Sequence, residues 1–286
     1  MDRGDQAFSQ GKYDAALAEY RLAVRQGSTD GPTLARLAHT YAMVGEVDDA
    51  GEYYARAVEA DESMRAQAVT DLMHVAGVAM EAGDRFAMAS AVELALGMEP
   101  GLGVGRLALP LARHYFTAGE FGRALPFYQK ALVGSADSLP DVVFEVGQAY
   151  EEVGDCRHAL PQFERYRGLV RAGRRREADW HIGTCSFELA QAVAERAGAA
   201  PGDLEDALAM VDRTLALGEP QNIQAQVWFL KGEILSDLGR CEDAMEAFAQ
   251  VRYADQAGAL VSRAQQRFDE IRFGQGLEGF REGRCR

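Results

Sequence analysis

Apolar positions recur along this chain at spacings of three and four. Leu34, Leu37, Ala38 and Tyr41 form one such stripe, and Gly45 follows it. That spacing puts the four side chains on one face of a helix, and glycine is the residue that most readily ends one. The next stretch, 45–58 (GEVDDAGEYYARAV), restates 11–24 (GKYDAALAEYRLAV): Gly11 and Gly45, Ala16 and Ala50, Tyr20 and Tyr54, and Ala23 and Ala57 fall in register, 34 residues apart. A helix-length unit recurring at that period signals an array of helix pairs, each burying its apolar side against its neighbours.

The pattern predicts about seven pairs. A leading helix over 3–10 and a second over 13–26 make the first unit, and the stripe from Leu34 to Met43 opens the second. The third unit, 69–100, is irregular: helices over 69–82 and 85–98 flank Gly83, and Met88 stands where other units carry Ala16 or Ala50. The larger side chain is expected to push those helices apart unless the backbone shifts. The segment 101–105 reads either as a hinge or as a tight turn before a frayed helix start. Units four and five repeat clearly, with Ala112, Tyr115, Gly119, Ala124 and Tyr128 answered by Gly147, Tyr150, Gly154, Ala159 and Phe163. Pro126 and Pro161 hold matching places in the second helices, early enough that they need cost no hydrogen bond. The sixth unit, 177–217, is lengthened, with a leading helix over 177–196 and its partner starting near Leu204. Trp228, Gly232, Gly239, Ala244 and Phe248 restore the pattern in the seventh. A capping helix over 260–273 then closes a single array, 1–273, and 274–286 reads as a flexible tail.

Over residues 1–255 the chain resembles the tetratricopeptide-repeat family. The turn glycines 11, 45, 119, 154 and 239 carry the resemblance, together with the small and aromatic residues of each second helix and the Trp228 and Gly232 opening. The resemblance implies an all-α fold, a right-handed superhelical solenoid whose leading helices line a concave surface that receives a peptide, a helix or a subunit. Carried over residue by residue, that surface would present Ala35, His39 and Ala42, then Met73, Gly77 and Met80, then Leu109, Arg113 and Phe116. Phe144, Gln148 and Glu151 follow, then Trp180, Thr184 and Phe187, then Phe229, Glu233 and Ser236. Methionines and aromatics on a face open to water read as an apolar groove, because exposed apolar patches mark interfaces. The alternative is that the same side chains are covered by longer helices or by a second copy. Some members of the family clamp a chaperone's C-terminal carboxylate with lysine on this face. Here Ala35, Met73, Leu109, Phe144 and Phe229 stand at the matching places, so that ligand loses its main attraction.

Charge narrows the partner. Asp and Glu outnumber Lys and Arg by 44 to 30, and the resulting formal charge of −14 repels nucleic-acid phosphates and anionic membranes. Against that background, 165–176 holds six arginines. They read as a solvated helix end paired with carboxylates, the alternative being a dock for an acidic partner or lipid headgroups. No run of apolar residues is long enough to span a bilayer. No secretory signal is visible, so the compartment stays open: cytoplasmic on that ground, periplasmic or exterior if a signal has been removed. His39, His74, His114, His158 and His181 show no ligand-like spacing, so no metal, cofactor or catalytic site is expected. Cys156 and Cys185 fall where stacked helix pairs come close, which would permit a disulfide and point to an oxidising compartment, although buried thiols are the plainer reading. Cys285, near the terminus, is expected to be exposed.

The sequence therefore predicts a non-catalytic scaffold that binds a protein or peptide in an apolar groove, with homo-oligomerisation left open. The runner-up is a structural subunit of a bacterial envelope or other multiprotein assembly, contacting its partners through outer faces.

Overall fold

The computed structural model describes residues 2–133, 139–255, 258–274 and Cys285. These group into two compact units, Met1–Val133 and Gly134–Arg286. In the first, α1 (Asp2–Ser9), α2 (Tyr13–Arg25), α3 (Gly31–Val44), α4 (Val47–Ala60), α5 (Arg65–Ala82), α6 (Arg85–Met98), α7 (Ala108–Thr117) and α8 (Phe121–Leu132) pair consecutively. In the second, α9 (Pro140–Glu152), α10 (Cys156–Leu169), α11 (Arg175–Ala194), α12 (Pro201–Leu217), α13 (Gln224–Asp237) and α14 (Cys241–Ala254) do the same, and α15 (Val261–Gly274) packs on α14. The described residues thus form an all-α solenoid of seven antiparallel pairs followed by a C-terminal helix, with no sheet.

Local chemistry sets the helix ends. The Asp30 carboxylate accepts the Thr33 N–H at 3.0 Å and caps α3, while Pro32 in the first turn gives up an N–H that has no helical partner anyway. At the other end Gly45 adopts φ +85°, and Gly45 and Glu46 donate their N–H groups back to Ala42 and Tyr41. A side chain there would be strained, which is why each repeated turn carries glycine.

All pairs but the third and sixth close by seating an aromatic ring on a small residue. An added Cβ on Gly4, Gly147 or Gly232 would lie within 2.7 Å of the ring of Tyr20, Phe163 or Phe248 respectively, always sixteen residues further on. Those rings are almost fully buried, worth roughly 1.5–3 kcal/mol apiece. In the third unit Val92 takes the ring's place and Met88 is 1% exposed, so extra volume at one position offsets loss at the other. In the sixth no ring is available. Gly183 instead lies against the Glu219 backbone, and the Thr214 hydroxyl donates to the Gly183 carbonyl at 3.2 Å.

Several expectations need correction. Helix α5 begins at Arg65, four residues before the predicted start, because its polar first turn carries no apolar stripe; the Asp61 carboxylate caps the short 3-10 turn before it. Pro126 and Pro161 are the sixth residues of their helices, one turn too deep to be free of cost. They leave without a helical donor the carbonyls of Gly122 and Arg157, both exposed residues where water can serve instead. The segment 101–105 ends in an ordered turn, with Val104 and Leu107 buried. Cys285 is 2% exposed, bonded to Cys241, and exchanges two hydrogen bonds with Ser236 through its N–H and carbonyl. The rest of the predicted tail beyond Gly274 lies outside the described residues.

Candidate functional site

Two kinds of contact organise the faces of the leading helices α1, α3, α5, α7, α9, α11 and α13. The first is a ladder of acid–base pairs, each joining a leading helix to the segment one repeat onward. In the first unit Asp5 meets Arg36 at 3.7 Å, Asp71 meets His39 at 3.0 Å and Glu81 meets Arg106 at 2.9 Å. In the second, Asp141 meets Arg174 at 2.8 Å, Glu151 meets His181 at 2.5 Å and Glu233 meets Arg267 of α15 at 2.7 Å. Three of the predicted surface residues, His39, Glu151 and Glu233, are therefore rungs of this ladder.

The rung with the most hydrogen-bond donors is Asp71. It accepts both His39 Nδ1 and, at 2.5 Å, the hydroxyl of Tyr54, a ring with no exposed surface. Burial pushes the Asp71 carboxyl up, but the bonds from His39 and Tyr54 outweigh it and hold it below its usual range. The same carboxylate raises the His39 imidazolium, and burial followed by this bond raises the Tyr54 phenol.

The second kind of contact covers predicted aromatics. Phe144 is 8% exposed, with Tyr166 at 4.7 Å and the edge of His181 at 5.3 Å, and His181 itself stacks on Phe163 at 4.6 Å. Phe229 is half-buried, with Phe248 on one side and the Arg263 guanidinium 4.9 Å over its ring. Phe116 stands edge-on to Phe121 and Tyr128. Met73, Met80, Leu109, Gln148 and Phe187 are also half-buried, and Arg113 is exposed.

Trp180 is the large apolar side chain of the predicted face that stays open, at 43% exposure. It lines a cleft of about 550 Å³ with Arg174, Arg176, Glu177, His181 and Glu219. The arginines there are tethered, Arg174 by Asp141 and Arg176 by Glu219 at 2.9 Å, yet each keeps most of its side chain in water. Of the rest of the arginine run, Arg167 pairs with Asp179.

Sequence reasoning passed over Asp71 and gave Tyr54 and His181 no carboxylate partner. The signal was present: an acidic and a basic residue about one period apart, as in Asp5 and Arg36, marks neighbouring leading helices. Cys156 and Cys185 are bonded in the structure, with Cα atoms 5.1 Å apart, tying α10 to α11. Among the described residues no group of three or more His, Cys, Asp or Glu side chains could hold a metal ion, and no helix is long and apolar enough to cross a membrane.

A tetratricopeptide-repeat family model matches residues 199–259. No curated protein matches the chain. Among solved structures, the chain is similar to the MamA protein at 21% identity, covering 59% of this chain and 88% of that one, with a TM-score of 0.34. The C-terminal part of a TPR repeat-containing protein from Cytophaga hutchinsonii is 16% identical, covering 91% and 97% of the two chains at a TM-score of 0.36. The TPR2AB-domain:pHSP90 complex of yeast Sti1 is 14% identical, covering 93% and 95% at a TM-score of 0.32.

Proposed function

The chain is a tetratricopeptide-repeat protein, and we propose that it is a non-catalytic scaffold binding a peptide, helix or subunit along its leading helices. Folds of this family mediate protein–protein interactions through the extended faces that their stacked repeats create. The observation that carries the reading here is Trp180. A tryptophan open to solvent in a cleft with two arginines combines the side chains most often found as binding hot spots. Within the first unit, Met73, Met80, Leu109, Arg113 and Phe116 would line a leading-helix surface of that unit's own. The two disulfides support an oxidising compartment, such as a periplasm or the cell exterior.

The test is selection of twelve-residue peptides from a random display library on the immobilised protein, followed by titration against Trp180→Ala. The substitution removes an exposed side chain and should leave the fold intact. Selected peptides are expected to lose about 2 kcal/mol, roughly thirtyfold in affinity. Peptides that bind tightly but ignore both Trp180→Ala and Phe116→Ala would overturn the reading.

A further inference from the structure

On α11 the exposed Trp180 has an opposite side. At 3.6 residues per turn, Leu189 lies roughly 180° around the helix from Trp180, and Ser186 and Val193 lie near it. This side is the floor of a second cleft of about 690 Å³, walled by α10 and α12, which run parallel to each other and antiparallel to the floor helix. Leu160 and Pro161 from one wall, Met210 from the other, and Leu189 and Val193 below give it an apolar lining.

Ser186 is the feature that packing does not explain. It is 1% exposed, it lines the cleft, and its Oγ has no hydrogen-bond partner among the described residues. An unpaired buried hydroxyl is costly, and most are satisfied. The rim adds direction. Arg213 is paired across the cleft with Glu164, and Arg196 with Asp203. Arg157 on the α10 wall and Asp206 on the α12 wall are both exposed and carry no ion pair among the described residues. One wall thus offers an exposed cation, whose nearby carboxylate is Asp155, and the other an exposed anion.

We propose that this cleft is a second docking site, separate from the Trp180 face, which takes an amphipathic helix from a partner protein. Two parallel helical walls over an apolar floor make the trough into which a third helix packs its ridge. The occupant presents an apolar stripe, a carboxylate on the edge facing Arg157, a basic residue on the edge facing Asp206, and an acceptor for the Ser186 hydroxyl.

The probe is a synthetic fourteen-residue helical peptide with leucines and one central glutamine on one stripe, the glutamine to accept from Ser186, glutamates along one edge and lysines along the other, titrated by calorimetry against the full chain. Arg157→Glu makes both walls acidic and Asp206→Lys makes both basic, so each single variant is expected to weaken binding roughly five- to tenfold. The double variant recovers, because a helix reversed in the trough exchanges its two edges. Ser186→Ala gives an independent readout of opposite signs. It removes the unpaired hydroxyl from the free protein and raises Tm by a few degrees, while peptide affinity falls severalfold. Trp180→Ala leaves this binding unchanged, so failure here and failure of the groove reading are separable. The proposal is overturned by absence of binding at millimolar peptide, by single variants that bind as the parent does, or by Ser186→Ala leaving affinity intact. Self-association of the chain that Arg157→Glu abolishes would assign the cleft to a second copy instead and equally overturn it.

Discussion

Replacing Asp71 tests how the second repeat is joined to the third. Asp71→Ala removes the acceptor of two donors, the Tyr54 hydroxyl at 2.5 Å and His39 Nδ1 at 3.0 Å. The Tyr54 ring has no exposed surface, so its hydroxyl would be left unsatisfied at a cost of about 1–3 kcal/mol. The His39 pair, with side chains 33% and 18% exposed, is screened by solvent and adds up to about 1 kcal/mol. The sum is about 1–4 kcal/mol, while Asp71→Asn, which keeps a neutral acceptor, should cost about 1 kcal/mol less. Urea unfolding followed by circular dichroism measures both. Combining Asp71→Ala with Tyr54→Phe in a double-mutant cycle isolates the bond, and a coupling of about 1.5 kcal/mol or more is expected. A cost below about 0.5 kcal/mol for Asp71→Ala, or no coupling with Tyr54→Phe, would refute the view that this carboxylate is a structural joint.

The same pair makes stability depend on pH. His39 is raised in the folded state, so its contribution is fully present below the ordinary histidine value of about 6.5 and is lost as pH rises through the raised one. Asp71 is lowered, so its contribution is present above about 3.9 and is lost as pH falls through the lowered value. Wild type should therefore lose stability above neutrality relative to pH 5, and His39→Gln should flatten that limb in pH-dependent urea titrations. Gly183→Ala should be far more damaging than Gly147→Ala. The new Cβ would sit 1.9 Å from the Glu219 backbone oxygen in the first case and 2.7 Å from the Phe163 ring, which can turn, in the second. Overpacking of about 1–3 kcal/mol at Gly147 is partly offset by helix propensity, so thermal melts of the two variants should separate clearly. Replacing Cys156 and Cys185 together by serine opens a closure of 29 residues and should cost about 3–4 kcal/mol, measured by urea unfolding with and without reductant.

The period was legible because packing between repeats demands it. Tyr20, Tyr54, Tyr128, Phe163 and Phe248 recur because those five second helices each seat a ring on the leading partner, with Val92 a smaller group in the third pair and the Glu219 backbone against Gly183 in the sixth. Helix starts were less legible where first turns are polar, as at Arg65. The openness of the leading-helix face was not legible at all. Whether Phe144 sees water depends on His181, thirty-seven residues away, folding over it, and no local spacing encodes that contact. Trp180 and Phe144 look alike in sequence, yet Trp180, with His181 at 4.9 Å from its ring, keeps 43% of its surface exposed while Phe144 keeps 8%. Cys285 misled for a similar reason, since its burial comes from Cys241 and Ser236 in the preceding pair.

The proposed groove can be tested directly because the chain has 2 tryptophans, the exposed Trp180 and the half-buried Trp228. Labelling with 5-fluorotryptophan gives two fluorine resonances, assigned by Trp180→Phe, which can be followed while a library-selected peptide is titrated. Binding along the leading helices predicts that the Trp180 resonance shifts saturably with peptide while Trp228 stays in place. A selected peptide that saturates the protein by calorimetry yet leaves the Trp180 resonance unmoved would contradict the account.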